Sequence, residues 1–268
     1  MPVPGGMVAL ASRMSLTAAP MNAPPIDRSI TIDTLLQQQA RWQLPFTIRS
    51  RDVIASLSGL TNRSIIFEHQ DHKWVLRLNS PVSARLGIDR NREWRVLRQL
   101  APLKIAPQPL YKDANNEILI YEYLEGESLN TSFNQQQEQV RQLIAHYQQV
   151  EIEEARFDYL SHLQRYWRQI EQSGLANSRL RAEWQSALPA LQQFQRGQWQ
   201  GVLTHHDLRP DNLLQSTSGI KILDWEYAAL GHPGLDYASI SEHDQGDGEQ
   251  LGSLRYWLEK LWHLVQST

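Results

Sequence analysis

Apolar and polar positions follow two different rhythms along this chain, and the change of rhythm divides it. Residues 64–69 and 73–78 read as two short strands. Val75 and Leu76 give the second its apolar weight, and Gln70-Asp71-His72 forms the turn between them. Residues 89–100 switch to a helical period, with Trp94, Leu97 and Leu100 on one face, and Pro102 and Pro107 bracket the exit. The run Ile118-Leu119-Ile120-Tyr121 predicts a buried strand over 117–123, broken by Glu125-Gly126. Upstream, 30–39 reads as a short helix, and Pro45 ends that region. Beyond Gly126 the pattern is helical over 135–149, 159–172 and 179–196. A hairpin follows (213–215 with 220–223), and helices over 235–242 and 250–265 close the chain.

Strands first and helices afterwards predict an α+β chain of two lobes. The small β-rich N-lobe spans 29–123 and the larger helical C-lobe 124–268, with a cleft between them as the natural ligand site. Residues 1–28, rich in Pro, Ala and Met, read as a disordered tail outside the fold.

Composition narrows the classes. The 268 residues are 41% hydrophobic, enough for a sizeable core. A net charge of -3 and scattered Lys and Arg give no general attraction to nucleic acid or to an anionic membrane. No apolar run reaches the roughly 20 residues of a membrane helix. There are no cysteines, which removes disulfides, thiolate catalysis and zinc–thiolate sites and suits a reducing cytoplasm.

The chemistry is concentrated in His205-His206-Asp207-Leu208-Arg209-Pro210-Asp211-Asn212 and in Asp224, which follows the apolar run Ile220-Lys221-Ile222-Leu223. A carboxylate and an amide at this spacing, with a second carboxylate at a strand end, form the minimum set for moving a phosphoryl group off a nucleotide such as ATP. Asp207 is the candidate base for the acceptor hydroxyl. Asn212 and Asp224 supply the hard oxygens that Mg2+ prefers. Arg209 is placed to offset charge on the transferred phosphate. If the extended geometry continues past Asp224, Glu226 faces the same side and reaches metal or substrate. His205 reads as a buried ring tying the loop to the strand that carries Asp224, and His206 as facing away from it. The segment 56–62, including Ser58 and Asn62, lies ahead of the strand pair as a loop whose N–H groups could cover phosphates. Its one glycine matches neither common phosphate-loop pattern. Arg77, on the second strand, is a candidate phosphate contact, and Glu93 on the next helix is its partner.

On these residues the chain resembles the aminoglycoside phosphotransferase/choline kinase superfamily of small-molecule kinases. The likeness runs from about Ile30 to the end and is most specific over 203–237. It implies the protein-kinase-like bilobal fold, ATP and Mg2+ as cofactors, Asp207 as base, and Asn212 and Asp224 as metal ligands. It also implies an Arg77–Glu93 ion pair and an interlobe linker, including Glu122 and Tyr123, whose backbone reads the adenine. Asp236, in its Gly-His-Pro-x-x-Asp setting, is implied to brace the catalytic loop. Within the group, 218–228 is most similar to bacterial thiamine kinase and the bacterial choline kinases. The implied acceptor is a small cationic alcohol, thiamine ahead of choline, ethanolamine or an aminoglycoside. Trp225, Glu226 and Tyr227 would meet its charge by carboxylate and ring faces. A protein kinase fits less well, because Asp224 is followed by Trp-Glu instead of Phe-Gly and no Ala-Pro-Glu element appears. A non-catalytic kinase-like module would have lost Asp207, Asn212 or Asp224, and all three are present.

Overall fold

The computed structural model describes residues 31–58, 62–129, 133–240 and 248–268. The tail over 1–28, the tip of the expected phosphate loop at 59–61 and the end of the helix expected over 235–242 lie outside these residues.

Five antiparallel strands build the first lobe: β1 (Val53–Ser58), β2 (Asn62–His69), β3 (His72–Asn79), β4 (Pro109–Lys112) and β5 (Ile118–Glu122), in the order β1-β2-β3-β5-β4. The two inner strands expected from the sequence, β2 and β3, meet at a two-residue turn. Gln70 (φ 52°) and Asp71 (φ 59°) both lie in the left-handed region, whose twist matches that of the flanking strands. His72 is therefore the first residue of β3 and not part of the turn. The edge strands β1 and β4 carry no strong apolar signal. Ile54 is exposed, and β4 is four residues beginning with a proline, which an edge strand tolerates. As a correction, residues 56–58 belong to β1 and not to a phosphate-covering loop.

Two short helices, α1 (Ile32–Leu36) and α2 (Gln39–Trp42), bury Leu35, Leu36 and Trp42 against Ile65, Phe67 and Leu76 on one sheet face. The helix α3 (Arg90–Leu100) starts at Asp89, whose carboxylate accepts the N–H groups of Asn91 and Arg92, an N-cap that satisfies two orphan donors. Its buried face is Val96, Leu97 and Leu100. These share one apolar core with Leu119 of β5 and with Leu203, Leu213, Ile222 and Trp225 from the second lobe. The core therefore runs through the boundary between the lobes.

The second lobe holds five short strands and five helices among the described residues. The strands β6 (Glu127–Ser128), β8 (Leu213–Ser216) and β9 (Gly219–Ile222) form one small sheet, and β7 (Val202–Thr204) pairs with β10 (Ala229–Gly231). The helices are α4 (Phe133–Tyr147), α5 (Tyr159–Gln172), α6 (Ser178–Arg196), α7 (Gly234–Ile240) and α8 (Gly248–Gln266). Helices α5, α6 and α8 close around stacked Trp167 and Trp184 (ring centroids 5.1 Å apart), with Trp257 edge-on at 5.2 Å. None of the described helices is long and apolar enough to cross a membrane.

Candidate active site

The chain leaves β7 into His205, His206 and Asp207, and this turn is held from below. Asp236, fully buried in the first turn of α7, accepts the backbone N–H of His205 (2.7 Å), the N–H of His206 (3.1 Å) and the Tyr147 hydroxyl (2.6 Å). The His205 ring uses both nitrogens. Nδ1 accepts the Asp207 N–H at 3.3 Å, so the ring proton is on Nε2, which lies 2.8 Å from the Leu223 carbonyl oxygen. Burial lowers the His205 pKa, and the neutral ring has no lone pair left for proton transfer. It joins the loop to the residue before Asp224. His206 sits at φ 68° with its Nε2 2.9 Å from the Tyr159 hydroxyl. Both groups press on Gly231, where a Cβ would lie 2.6 Å from each, so only glycine fits.

The Asp207 carboxylate rests at the surface of this frame, its side chain 30% exposed. Arg209 Nε lies 3.0 Å from Oδ1, and Asn212 Nδ2 donates to the Asp207 carbonyl (2.8 Å) and to Oδ2 (3.2 Å). Burial pushes its carboxyl up to about 6, against the Arg209 charge and with that of Glu226. It is therefore ionised at neutral pH yet basic for a carboxylate, as proton acceptance from an alcohol requires.

Asn212 spends its amide nitrogen on Asp207. Asp224 takes left-handed backbone (φ 60°, ψ 60°) and stays open to the cleft. Such a conformation costs a non-glycine residue about 1 kcal/mol or more and is typical of functional positions. The protein packed around its base, and then the charge of Glu226, raise its carboxyl pKa. The Arg77 charge acts in the opposite direction. Among the described residues no group of three or more His, Asp or Glu forms an all-protein metal cage.

The left-handed turn at Asp224 also overturns two expectations. It ends the extended geometry, and Trp225–Tyr227 coil into a short 3-10 turn. Trp225 is swung into the core, 1% exposed, edge-on to Tyr147 and His205, with its indole N–H donated to the Ile222 carbonyl (3.0 Å). It has no face left for a substrate. Glu226 turns toward the first lobe instead of the cleft: its Oε2 accepts from Arg90 Nη1 (2.8 Å) and Asn62 Nδ2 (3.2 Å). Arg90 also reaches Glu93 (2.9 Å), and Arg77 Nη2 binds the same Glu93 oxygen at 2.6 Å. Burial opposes the Glu93 charge, but the two guanidinium groups hold its carboxyl down at about 2. Two arginines and two glutamates thus form a balanced buried quartet across the lobe boundary. Sequence reading missed Arg90, for which no local signal exists.

On the nucleotide side, Arg77 keeps its place by the Glu93 pair and by donating Nε to Asn79 Oδ1 (3.0 Å). Ser58 ends β1, and Asn62 opens β2 with its side chain committed to Glu226 and Arg90. The N–H groups of Glu122 and Tyr123, expected to read a base, are engaged within the lobe. They donate to the Gln108 carbonyl (2.9 Å) and the Lys73 carbonyl (3.0 Å).

A cavity of about 300 Å³ opens onto Asp207. Its walls are aromatic, from Phe157, Tyr166, Tyr227 and Trp262, and Tyr227 is the one residue of Trp225–Tyr227 that lines it. The Tyr227 hydroxyl is fixed by the Trp262 indole N–H at 2.9 Å. His162 forms part of the wall. Its Nδ1 accepts from Arg165 (3.1 Å), and burial, then Arg165 and Arg92, hold its pKa near 3. Between pH 6.5 and 3 the unfolded chain therefore binds a proton at His162 that the native state does not. This contribution to stability is complete above pH 6.5 and falls by up to about 1.4 kcal/mol per pH unit as pH drops toward 3. Urea unfolding of H162N at pH 7, 6 and 5 should show a slope against pH that is shallower, by a small fraction of a proton near pH 7 and by nearly one proton near pH 5. An unchanged slope would refute the neutral, buried assignment.

The phosphotransferase enzyme family (APH) matches residues 53–265. A thiamine kinase of Escherichia coli is 30% identical over 220 residues, covering 78% of this chain and 74% of its own length. A Shigella boydii thiamine kinase is 29% identical over the same shares of the two chains. Among solved structures, the choline kinase LicA from Streptococcus pneumoniae superposes with a TM-score of 0.63 at 19% identity, over 80% of this chain and 86% of that one. The β-rich lobe and helical lobe are thus those of the kinase-like fold. With a loop of this form and a family match over most of its length, the chain belongs to the phosphotransferase enzyme family and is a kinase that places phosphate on an alcohol of a small molecule.

Proposed function

We propose that the protein transfers the γ-phosphate of ATP to the primary hydroxyl of thiamine. The observation that carries this reading is the aromatic cavity of about 300 Å³ that opens onto the Asp207 carboxylate, in a chain 30% identical to thiamine kinases. The cavity has the volume for a small molecule of one or two rings and flat walls for stacking. Asp207 orients the hydroxyl and takes its proton as the new O–P bond forms and the bond to the β-phosphate oxygen breaks, releasing ADP. Arg209 stands beside that carboxylate and lowers the energy of charge developing on the transferred group. Asn212 and Asp224 would hold magnesium, which supplies charge neutralisation on the phosphates when bound. Arg77, positioned by Glu93, contacts the phosphates. The adenine edge falls to the linker beyond Tyr123, where the Leu124 N–H has no backbone acceptor among the described residues. The expected setting is the cytoplasm, with no nucleic acid or membrane partner.

The test is a panel of thiamine, choline, ethanolamine and kanamycin with ATP and magnesium, following ADP release. Thiamine should give the highest kcat/KM. Turnover of another alcohol with thiamine inert would overturn the substrate and leave the class of reaction standing.

A further inference from the structure

The polar groups that line the cavity are nearly all spoken for. Asp236 is consumed by the loop that carries Asp207, His206 Nε2 by Tyr159 (its Nδ1 has no hydrogen-bond partner among the described residues) and His162 by Arg165. Asp207 and Arg209 face each other. Glu259 is 77% exposed and lies 3.9 Å from His263, pointing the charge of that pair outward. Arg255 differs. It projects from α8 into the cavity wall, is half-buried, and among the described residues makes no hydrogen bond and no ion pair. Burial of the guanidinium lowers its pKa, and the nearby Glu259 charge only partly offsets this. Two other lining residues, His206 at Nδ1 and Arg209 at Nε, each leave a single nitrogen without a hydrogen-bond partner, whereas Arg255 leaves its whole guanidinium, and a planar fork of N–H donors with no protein partner beside a preformed aromatic cavity marks a position completed by a ligand.

The chemistry of that ligand follows from the walls. Asp207 is the one lining carboxylate that is neither consumed inside the protein nor turned to solvent, and it serves the hydroxyl. A polycation would find one carboxylate and two guanidinium groups, Arg209 and Arg255, a poor match. A flat ring fits between aromatic side chains, and in-plane lone pairs at its far edge would accept from the guanidinium.

Building on the thiamine reading above, we propose that Arg255 is a specificity-determining residue that donates hydrogen bonds to the ring nitrogens of a heteroaromatic group at the end of the acceptor remote from its hydroxyl. In thiamine that group is the aminopyrimidine. The cationic thiazolium then lies nearer Asp207 and away from Arg255, which separates like charges within the cavity.

The experiment compares two acceptors with the full chain at saturating ATP and magnesium. One is thiamine; the other is the N-methylated thiazole alcohol, which keeps the cationic ring and the hydroxyl and lacks the pyrimidine. R255M should raise KM for thiamine on the order of tenfold, with kcat changed less than about threefold, because a charged-donor hydrogen bond is lost in ground and transition states alike. For the truncated acceptor the same substitution should change KM less than about threefold, since its partner is already missing. R255K keeps the charge without the fork and should fall between wild type and R255M for thiamine. Because Arg255 makes no internal bond, the melting temperatures of both variants should match wild type. Equal effects on both acceptors, or no effect on thiamine, would overturn the assignment while leaving the thiamine reading intact. Failure of the wild-type chain to phosphorylate thiamine would overturn that reading and this inference with it.

Discussion

Asp207→Asn is expected to lower kcat by about three orders of magnitude, the range typical of a lost general base, with the fold intact. Asparagine keeps the size, and its one carbonyl oxygen can accept from either Arg209 or Asn212 but not from both, and it cannot take the hydroxyl proton. Nucleotide affinity should change little, because the proposed phosphate and metal contacts are made by Arg77, Asn212 and Asp224. A stability readout separates this from damage. The folded-state carboxyl sits at about 6, above its ordinary value, so ionisation opposes folding once the pH exceeds the unfolded value and does so fully above 6. At pH 7.5 the neutral variant should therefore melt no lower than wild type. Turnover within tenfold of wild type would remove Asp207 from the role of base.

Glu226→Ala should cost about 3–5 kcal/mol of stability, a large part of the 5–15 kcal/mol that usually holds a domain together. The side chains of Arg77, Arg90, Glu93 and Glu226 are all 6% exposed or less. Removing one carboxylate leaves a net positive charge inside the lobe boundary with no water to screen it. The sharper form of the prediction is a cycle. Arg90→Met combined with Glu226→Leu leaves the Arg77–Glu93 pair balanced and replaces the other pair with apolar bulk. The double variant should recover most of what Glu226→Ala loses, as measured by urea unfolding. If the two changes instead add to a larger loss, the charge-balance account is wrong and the hydrogen bonds to Asn62 and Ser83 carry the energy.

The parts of the molecule that were legible in the sequence are those whose signal is local. The helix α5 was read at its observed limits because Tyr159, Leu163, Tyr166, Trp167 and Ile170 repeat on one face. The loop that carries Asp207 and Asn212 was legible because the two residues sit close in sequence and meet directly through the Asn212 amide. The edge strands β1 and β4 were not, since they are short and half-exposed and owe their pairing to β2 and β5. The misreading of Glu226 has a single cause. Alternation along a strand assigns faces only while the backbone stays extended, and one left-handed residue at Asp224 reverses the assignment for everything after it. The partner of Glu226 lies 136 residues away on α3, a distance at which composition and periodicity are silent. Arg255 belongs to no motif, and its candidacy rests on what does not touch it.

The core that α3 shares with both lobes carries a lesson for recombination. The peptide crosses from one lobe to the other near residue 124, yet one apolar core joins α3 and Leu119 of β5 to the second lobe. A chimera joined at 124 would import a foreign α3 and strand Leu203, Leu213, Ile222 and Trp225 without their partners. It would also separate Arg90 from Glu226. An exchange that keeps α3 with the second lobe preserves these contacts, provided the incoming sheet still carries an arginine at 77 for Glu93 and an apolar residue at 119.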